Sequence, residues 1–412
     1  MVTRSHIDAA IGAGSGILRL EPSWVPRSFM HPGRRLKLHP DDLYALGGDR
    51  GGINERWFSS TTNADNGPGT PPDEGLSYVR PADGPRFLLR DAVERAGDLL
   101  IGADVMSREG GWNLLCKFFD NMGAIPHHLH QSEEQAQLLG RRGKPEAYYF
   151  PPQYNKTDND FPYTFMGLEP GTTKAQVRRC LENWNRGDNG ILNLSRAFRL
   201  EVGTGWQINP RILHAPGSLV TYEPQVNSDV FAMFQSEVDG RITPRALLTK
   251  DVLPEFHDDL DYLVELLDWE ANVNPTFAKD NRVFPHPVKP FAETEDAGFR
   301  EQWVCYGTGW YSAKELTVLP KRSVTIRDAE AYGVILTQGY GAVNQVRVST
   351  PSMIRFGEMT EDEIFVTAAA ARDGVLIENH SATDPLVLLK HFGPGNPDNE
   401  ALRNPRNRQV QP

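Results

Sequence analysis

Ala124-Ile125-Pro126-His127-His128-Leu129-His130 is the stretch on which the reading of this chain turns. His128 and His130 stand two positions apart, a spacing that on a β-strand points both imidazoles to one face. His127 then points to the opposite face, where packing or solvent receives it. Neutral imidazoles suit divalent transition metals, and a carboxylate can complete such a pocket while leaving a position open for substrate. The nearby residues Ala124-Ile125 and Ala147-Tyr148-Tyr149-Phe150 are apolar or aromatic, so the pair is expected inside walls rather than on an exposed tail. A metal centre on a β-scaffold is the first expectation.

Working outward, the 412 residues carry 43 Lys and Arg against 54 Asp and Glu, a net charge of −11. That balance argues against nucleic acid and anionic membrane surfaces as partners, because both repel an acidic chain. A small anionic ligand needs only a few local cations and stays open. Cys116, Cys180 and Cys305 are too few and too scattered for a disulfide framework, so a reducing, cytoplasmic setting is expected. Residues Met1 to Ser15 show no apolar run of signal-peptide length, and no apolar stretch is long enough for a transmembrane helix.

The 37 Gly and 31 Pro punctuate many short apolar runs, which predicts a mostly β chain. Two helices are predicted. One begins near Thr172-Thr173 and carries the stripe Val177, Cys180, Leu181, Trp184; the other runs from about Pro254 to Trp269 with Leu260, Leu263, Val264 and Leu267. Both stripes predict core packing. Residues 270–300, rich in Asn, Pro and acid, are expected to link two halves. After them come about eight predicted strands: 314–319, 323–326, 333–337, 342–346, 352–356, 363–367, 375–378 and 386–391. Such closely spaced strands fit a double-sheet jelly roll or small barrel. The boundaries expected are a metal-binding domain over 1–275 with helices inserted around it, a second domain over 285–397, and a loosely ordered tail over 398–412.

Two glutamates compete for the carboxylate position, and spacing alone does not choose between them. Glu134 follows His130 by four positions, and the resulting HxHxxxE resembles the first motif of the cupin superfamily. Glu146 lies within Gly143-Lys144-Pro145-Glu146, on the next predicted strand. His214, in Asn209-Pro210-Arg211-Ile212-Leu213-His214, sits after a turn resembling the second cupin motif. In a barrel a distant strand can return beside the first, so His214 is a further candidate ligand.

A closer resemblance covers residues 45–235. Glu55-Arg56-Trp57, Lys117-Phe118-Phe119-Asp120, Ile125 to His130, Gly143 to Tyr149, Gly167-Leu168-Glu169-Pro170-Gly171, the His214 turn and Glu223-Pro224-Gln225-Val226-Asn227-Ser228-Asp229 occur in order. Together they resemble the type I mannose-6-phosphate isomerases of the cupin superfamily. The resemblance implies two cupin jelly-roll barrels and a divalent metal, usually zinc, with iron and manganese as other suitable ions. It implies His128, His130, Glu146 and His214 as ligands, and so selects Glu146 over Glu134. It also implies active-site roles for Lys144, Glu55 and Asp229. The implied partner is a small sugar or sugar phosphate, with a homodimer also in view. Two positions depart from the family pattern: His128 stands where the family has Gln, and Met233 stands where it has an active-site Arg. Arg241 or Arg245 is a candidate replacement from a nearby loop.

The reaction implied is aldose–ketose isomerisation, which moves a proton between two adjacent carbons through an enediol. It needs a base poised near neutral pH and an electrophile for the oxyanion. Lys144, two positions from Glu146, is the leading base and Glu55 the second; the plainer role of Lys144 is an ion pair with Glu146 or Asp229. The competing expectations are an iron-dependent cupin oxygenase, for which three histidines and a glutamate are also typical, and a non-catalytic sugar-binding cupin. The second half lacks an HxH pair. His380 resembles a degenerate second-motif histidine, and Gln338-Gly339-Tyr340-Gly341 resembles a hairpin turn, so that half is expected to be metal-free and structural.

Overall fold

The computed structural model describes residues 2–121, 123–156, 161–400 and 402. The chain is mostly β, and its strands form two double-sheet bodies. In the first body, a seven-stranded antiparallel sheet runs in the order Arg282–Val283, Gly205–Ile208, Glu146–Tyr149, Thr221–Val226, Leu114–Phe119, Gly52–Phe58, Ser23–Arg27. Facing it is a five-stranded sheet in the order Ser195–Arg199, Tyr163–Leu168, His214–Ala215, His128–Leu129, Ala232–Met233. The second body pairs a seven-stranded sheet, from Ile17–Arg19 through Leu386–Phe392 to His286–Pro287, with the four strands Ser323–Ile326, Val375–Asn379, Tyr340–Val343 and Val346–Ser349.

The two bodies share one core. Leu114, Cys116, Phe118, Tyr149 and Tyr222, on the outer face of the first seven-stranded sheet, pack with Cys305, Ala313, Ile335, Phe365 and Leu389 of the second. Burying apolar area on both faces explains why these strands read as near-continuous apolar runs. Polar groups cross the same boundary: the Tyr149 hydroxyl donates to Glu315 at 2.9 Å, and Arg56 donates to both oxygens of Asp362 at 2.8 and 2.7 Å.

Several expectations need correction. Ile17–Arg19, placed by sequence in the first domain, pairs instead with Ile364–Val366 in the second body. The expected linker is stitched to both bodies, since Arg282–Val283 pairs with Gly205–Trp206 and His286–Pro287 with Gln302–Trp303. The helix expected over 254–269 is broken into Pro254–Phe256, Leu260–Glu265 and Trp269–Asn272. Asp259 and Asp268 cause the breaks, because each side chain caps a new start by accepting the amide of Tyr262 or Ala271. Residues 352–356 form no strand beyond a single bridge of Ile354 to Leu38; past that bridge the Asp42 carboxylate accepts from Arg355 and from the Phe356 amide. The helix after Thr173 spans Lys174–Glu182 with a capping box to Gln176. Helices at Arg4–Ala13, Leu89–Gly97 and Ala103–Glu109 were not anticipated. Of the expected tail, Asn399 is buried and accepts from the Gly307 amide at 2.9 Å, whereas 401 and 403–412 lie outside the described residues. Among the described residues no helix is long and apolar enough to cross a membrane.

Candidate metal centre

Strand register builds the site. Met233 lies opposite His128, His128 opposite His214, and His214 opposite Met166. Cross-strand partners share a sheet face, so two imidazoles stand abreast on the inner face, flanked by two thioethers. His130, two residues along, points the same way. The three imidazoles offer ligand atoms within 4.8 Å of one another, and all three are buried.

Each ring is oriented by backbone. The Nδ1 atoms of His128, His130 and His214 lie 2.8 Å from the carbonyl oxygens of Pro126, Val230 and Ile212. A carbonyl only accepts, so each Nδ1 carries a proton, and wherever the ring is neutral the lone pair is left on Nε2. Burial lowers the pKa of His128 well below the usual value and that of His130 to about 4, so both rings are neutral at pH 7.

From the facing sheet, Glu146 brings Oε2 to 3.0 Å from His130 Nε2 and Oε1 to 3.1 Å from His214 Nε2. Burial pushes its carboxyl up, but the Lys144 cation and the contacts with the His130 and His214 rings hold it well below the usual range. Lone pairs of imidazole and carboxylate therefore face each other, and His130 Nε2, His214 Nε2 and Glu146 Oε2 are buried without a hydrogen bond. Such orphaned groups cost about 1–3 kcal/mol each. A cation among them resolves the conflict, and the donor set of nitrogens plus one carboxylate fits zinc, iron or manganese. Glu134 is exposed on the short helix Glu133–Gln137 and turns away from the cluster. His127 occupies the other sheet face, where its Nε2 lies 3.1 Å from the Ser195 hydroxyl.

A chain of buried charges leads from the cluster. Lys144 Nζ stands 3.2 Å from Glu146 and 3.8 Å from Glu223; Lys117 Nζ stands 3.4 Å from Glu223 and 3.7 Å from Glu55. Burial and the neighbouring Glu146 push Glu223 up to about 8. Glu55 and Asp229 are brought together by Arg27. Its Nε and Nη2 donate to Glu55 at 3.0 and 3.2 Å, its Nη2 and Nη1 to Asp229 at 3.1 and 3.2 Å, and its Nη1 to Asn66 at 3.0 Å. Those contacts use all five guanidinium donors. Arg27 accordingly holds both carboxyls below their ordinary range against the opposing effect of burial.

The structure does not bring Arg245 to this cluster. Its guanidinium donates to the His257 carbonyl at 3.2 Å beside the exposed Asp258. Arg241 is held at His31 and the Met30 carbonyl. His380 is exposed on the second body. Sequence reading missed Arg27, Glu223 and the role of Lys117. A lone Lys within Leu114-Leu115-Cys116-Lys117-Phe118-Phe119 is a readable signal of a buried charge with a partner. Arg27 offered no such signal, because its partners lie 28 and 202 positions away.

Fold and cluster together define a cupin-like double-sheet scaffold carrying a metal-competent centre. No family model and no curated protein matches the chain. Solved structures do. Mannose 6-phosphate isomerase from Bacillus subtilis superposes with a TM-score of 0.60 at 15% identity, over 92% of this chain and 99% of that one. A point mutant of phosphomannose isomerase from Salmonella typhimurium gives 0.58 at 14%, over 92% and 100%. A zinc-bound mannose 6-phosphate isomerase gives 0.59 at 13%, over 92% and 100%. At these identities the likeness is one of fold: this chain has the fold of those isomerases along nearly its whole length.

Proposed function

We propose that this chain is a metal-dependent aldose–ketose isomerase of the mannose-6-phosphate isomerase type, built on two cupin barrels and acting on a hexose or hexose phosphate. The observation that carries the reading is the set of unprotonated Nε2 atoms facing Glu146 inside that fold. His128, His130, His214 and Glu146 would hold a divalent ion, zinc in the first instance. A bound ion would supply polarisation of the sugar carbonyl. Lys144 is the proposed proton carrier, since its Nζ is the cation closest to Glu146. Glu223, 3.8 Å away and pushed up to about 8, can take or return that proton near neutral pH. Glu55 and Asp229 act through Arg27 as positioning residues rather than as bases, because Arg27 occupies their oxygens and lowers their basicity.

The test is interconversion of mannose 6-phosphate and fructose 6-phosphate by protein loaded separately with zinc, manganese and iron. Turnover lost on chelation and restored by one of these ions supports the reading; no conversion under any loading sinks it. An iron-dependent oxygenase is the second reading, favoured by the third imidazole and by Met233 beside His128 in place of an arginine. Oxygen uptake by the iron-loaded protein without isomerisation would select it.

A further inference from the structure

The second body contains a cavity of about 630 Å³ that the reaction proposed above does not use. Its floor is built from the inner face of the seven-stranded sheet. Trp303 and Lys314 stand opposite each other there, with the Lys314 Nζ 4.5 Å from the centre of the indole ring. Phe299 and Glu301 line the wall, and Lys289 and Arg327 stand exposed at the mouth. Glu301 and Lys314 are both more than nine-tenths buried. The Glu301 Oε1 atom touches Lys390 as an ion pair yet accepts no hydrogen bond of good geometry. Deeper still, Lys314 and Lys390 each reach an oxygen of Asp328 at 2.7 Å. Lys289, Arg327, Lys314 and Lys390 face Glu301, Asp328 and Asp398, a local balance of 4 − 3 = +1 within a chain of net −11.

Each feature recognises a different part of one ligand. The half-buried Phe299 ring in the wall can accept the apolar face of a pyranose ring. The Glu301 carboxylate, which lines the cavity, can accept from sugar hydroxyl groups. Two rim cations that make no ion pair among the described residues attract an anionic substituent, and Arg327 can hold it in bidentate fashion. We propose that this cavity binds an anionic sugar, a hexose phosphate or a hexuronate, at a site separate from the metal centre. The proposal does not depend on the isomerase reading.

Calorimetric titration of the chelated, metal-free chain with glucose 6-phosphate, galacturonate and inorganic phosphate tests it. One equivalent of either sugar should bind. The rim double variant Lys289→Ala, Arg327→Ala should weaken that binding by about tenfold or more, the loss expected for two charge-assisted contacts. His214→Ala, which disables the metal centre, should leave it unchanged. Preference for the phosphate or the carboxylate arm identifies the anion. Four results overturn the proposal: neither sugar binds, the rim variant binds normally, His214→Ala abolishes binding, or inorganic phosphate binds as tightly as the sugars.

Discussion

Between the facing sheets of the first body lie three imidazoles and a carboxylate, with His130 Nε2, His214 Nε2 and Glu146 Oε2 buried against one another without a hydrogen bond. Between those of the second lie Lys314 and Lys390, abreast on neighbouring strands and both clamped on Asp328. Both interiors bury polar groups that a β-core normally excludes. The donor set of the first is one that a divalent cation would satisfy. In the second, two like charges that would repel across the strands are neutralised by a carboxylate of the chain itself. A similar scaffold thus carries one interior that calls for a ligand and one that is satisfied at its floor.

The contrast breaks most directly at Asp328. Asp328→Asn should destabilise the chain by about 3–5 kcal/mol, since Lys314 and Lys390 would stay buried without their shared counter-ion. Urea melts check this, and a loss below about 1 kcal/mol would mean the lysines escape to water. A comparable loss is expected for Arg27→Met, which strands Glu55 and Asp229; Arg27→Lys keeps the charge but loses the fork, and should recover only part of the loss. At the first interior the larger effect is on the ligand: Glu146→Gln should abolish tight metal binding, read by elemental analysis. In the metal-free protein it should lower the melting temperature less than Asp328→Asn does, because the amide can donate to an imidazole lone pair while Lys144 loses the carboxylate 3.2 Å away. Unchanged metal content in Glu146→Gln would remove Glu146 from the ligand set.

The smallest expected effect lies where the two bodies meet. Burial pushes Glu363 up to about 8 from an ordinary 4.5, although Arg56 pulls it down. The folded chain therefore holds a proton that the unfolded chain releases. Its stabilising contribution is fully present below pH 4.5 and is lost as pH rises through about 8. Glu363→Gln should flatten the decline of stability across that window in melts taken at successive pH values. An unaltered slope would place the titration elsewhere.

Much of this was readable in the chain itself. The alternation at His128 and His130 set a shared face, because strand geometry has a period of two wherever the strand lies. The Thr173 cap and the Val177, Cys180, Leu181 stripe likewise predicted a helix from contacts three or four residues apart. The strand expected over 352–356 is reduced to the single bridge of Ile354 to Leu38, past which the partner is the Asp42 carboxylate, far away in sequence. The single helix expected over 254–269 failed for a local reason, two unread Asp caps.

What the sequence by itself determined was the β character, the face shared by the paired histidines and the residue types able to hold a metal, since each depends on short-range periodicity and side-chain chemistry. The sequence resemblance already pointed to His214 and to Glu146 over Glu134; the tertiary structure supplied the register that stands His214 beside His128, the contacts of Glu146 with His130 and His214, and the capture of Glu55 and Asp229 by Arg27. Those facts depend on strand register between segments tens to hundreds of residues apart, and pairing at that distance is chosen by the packing of the whole chain.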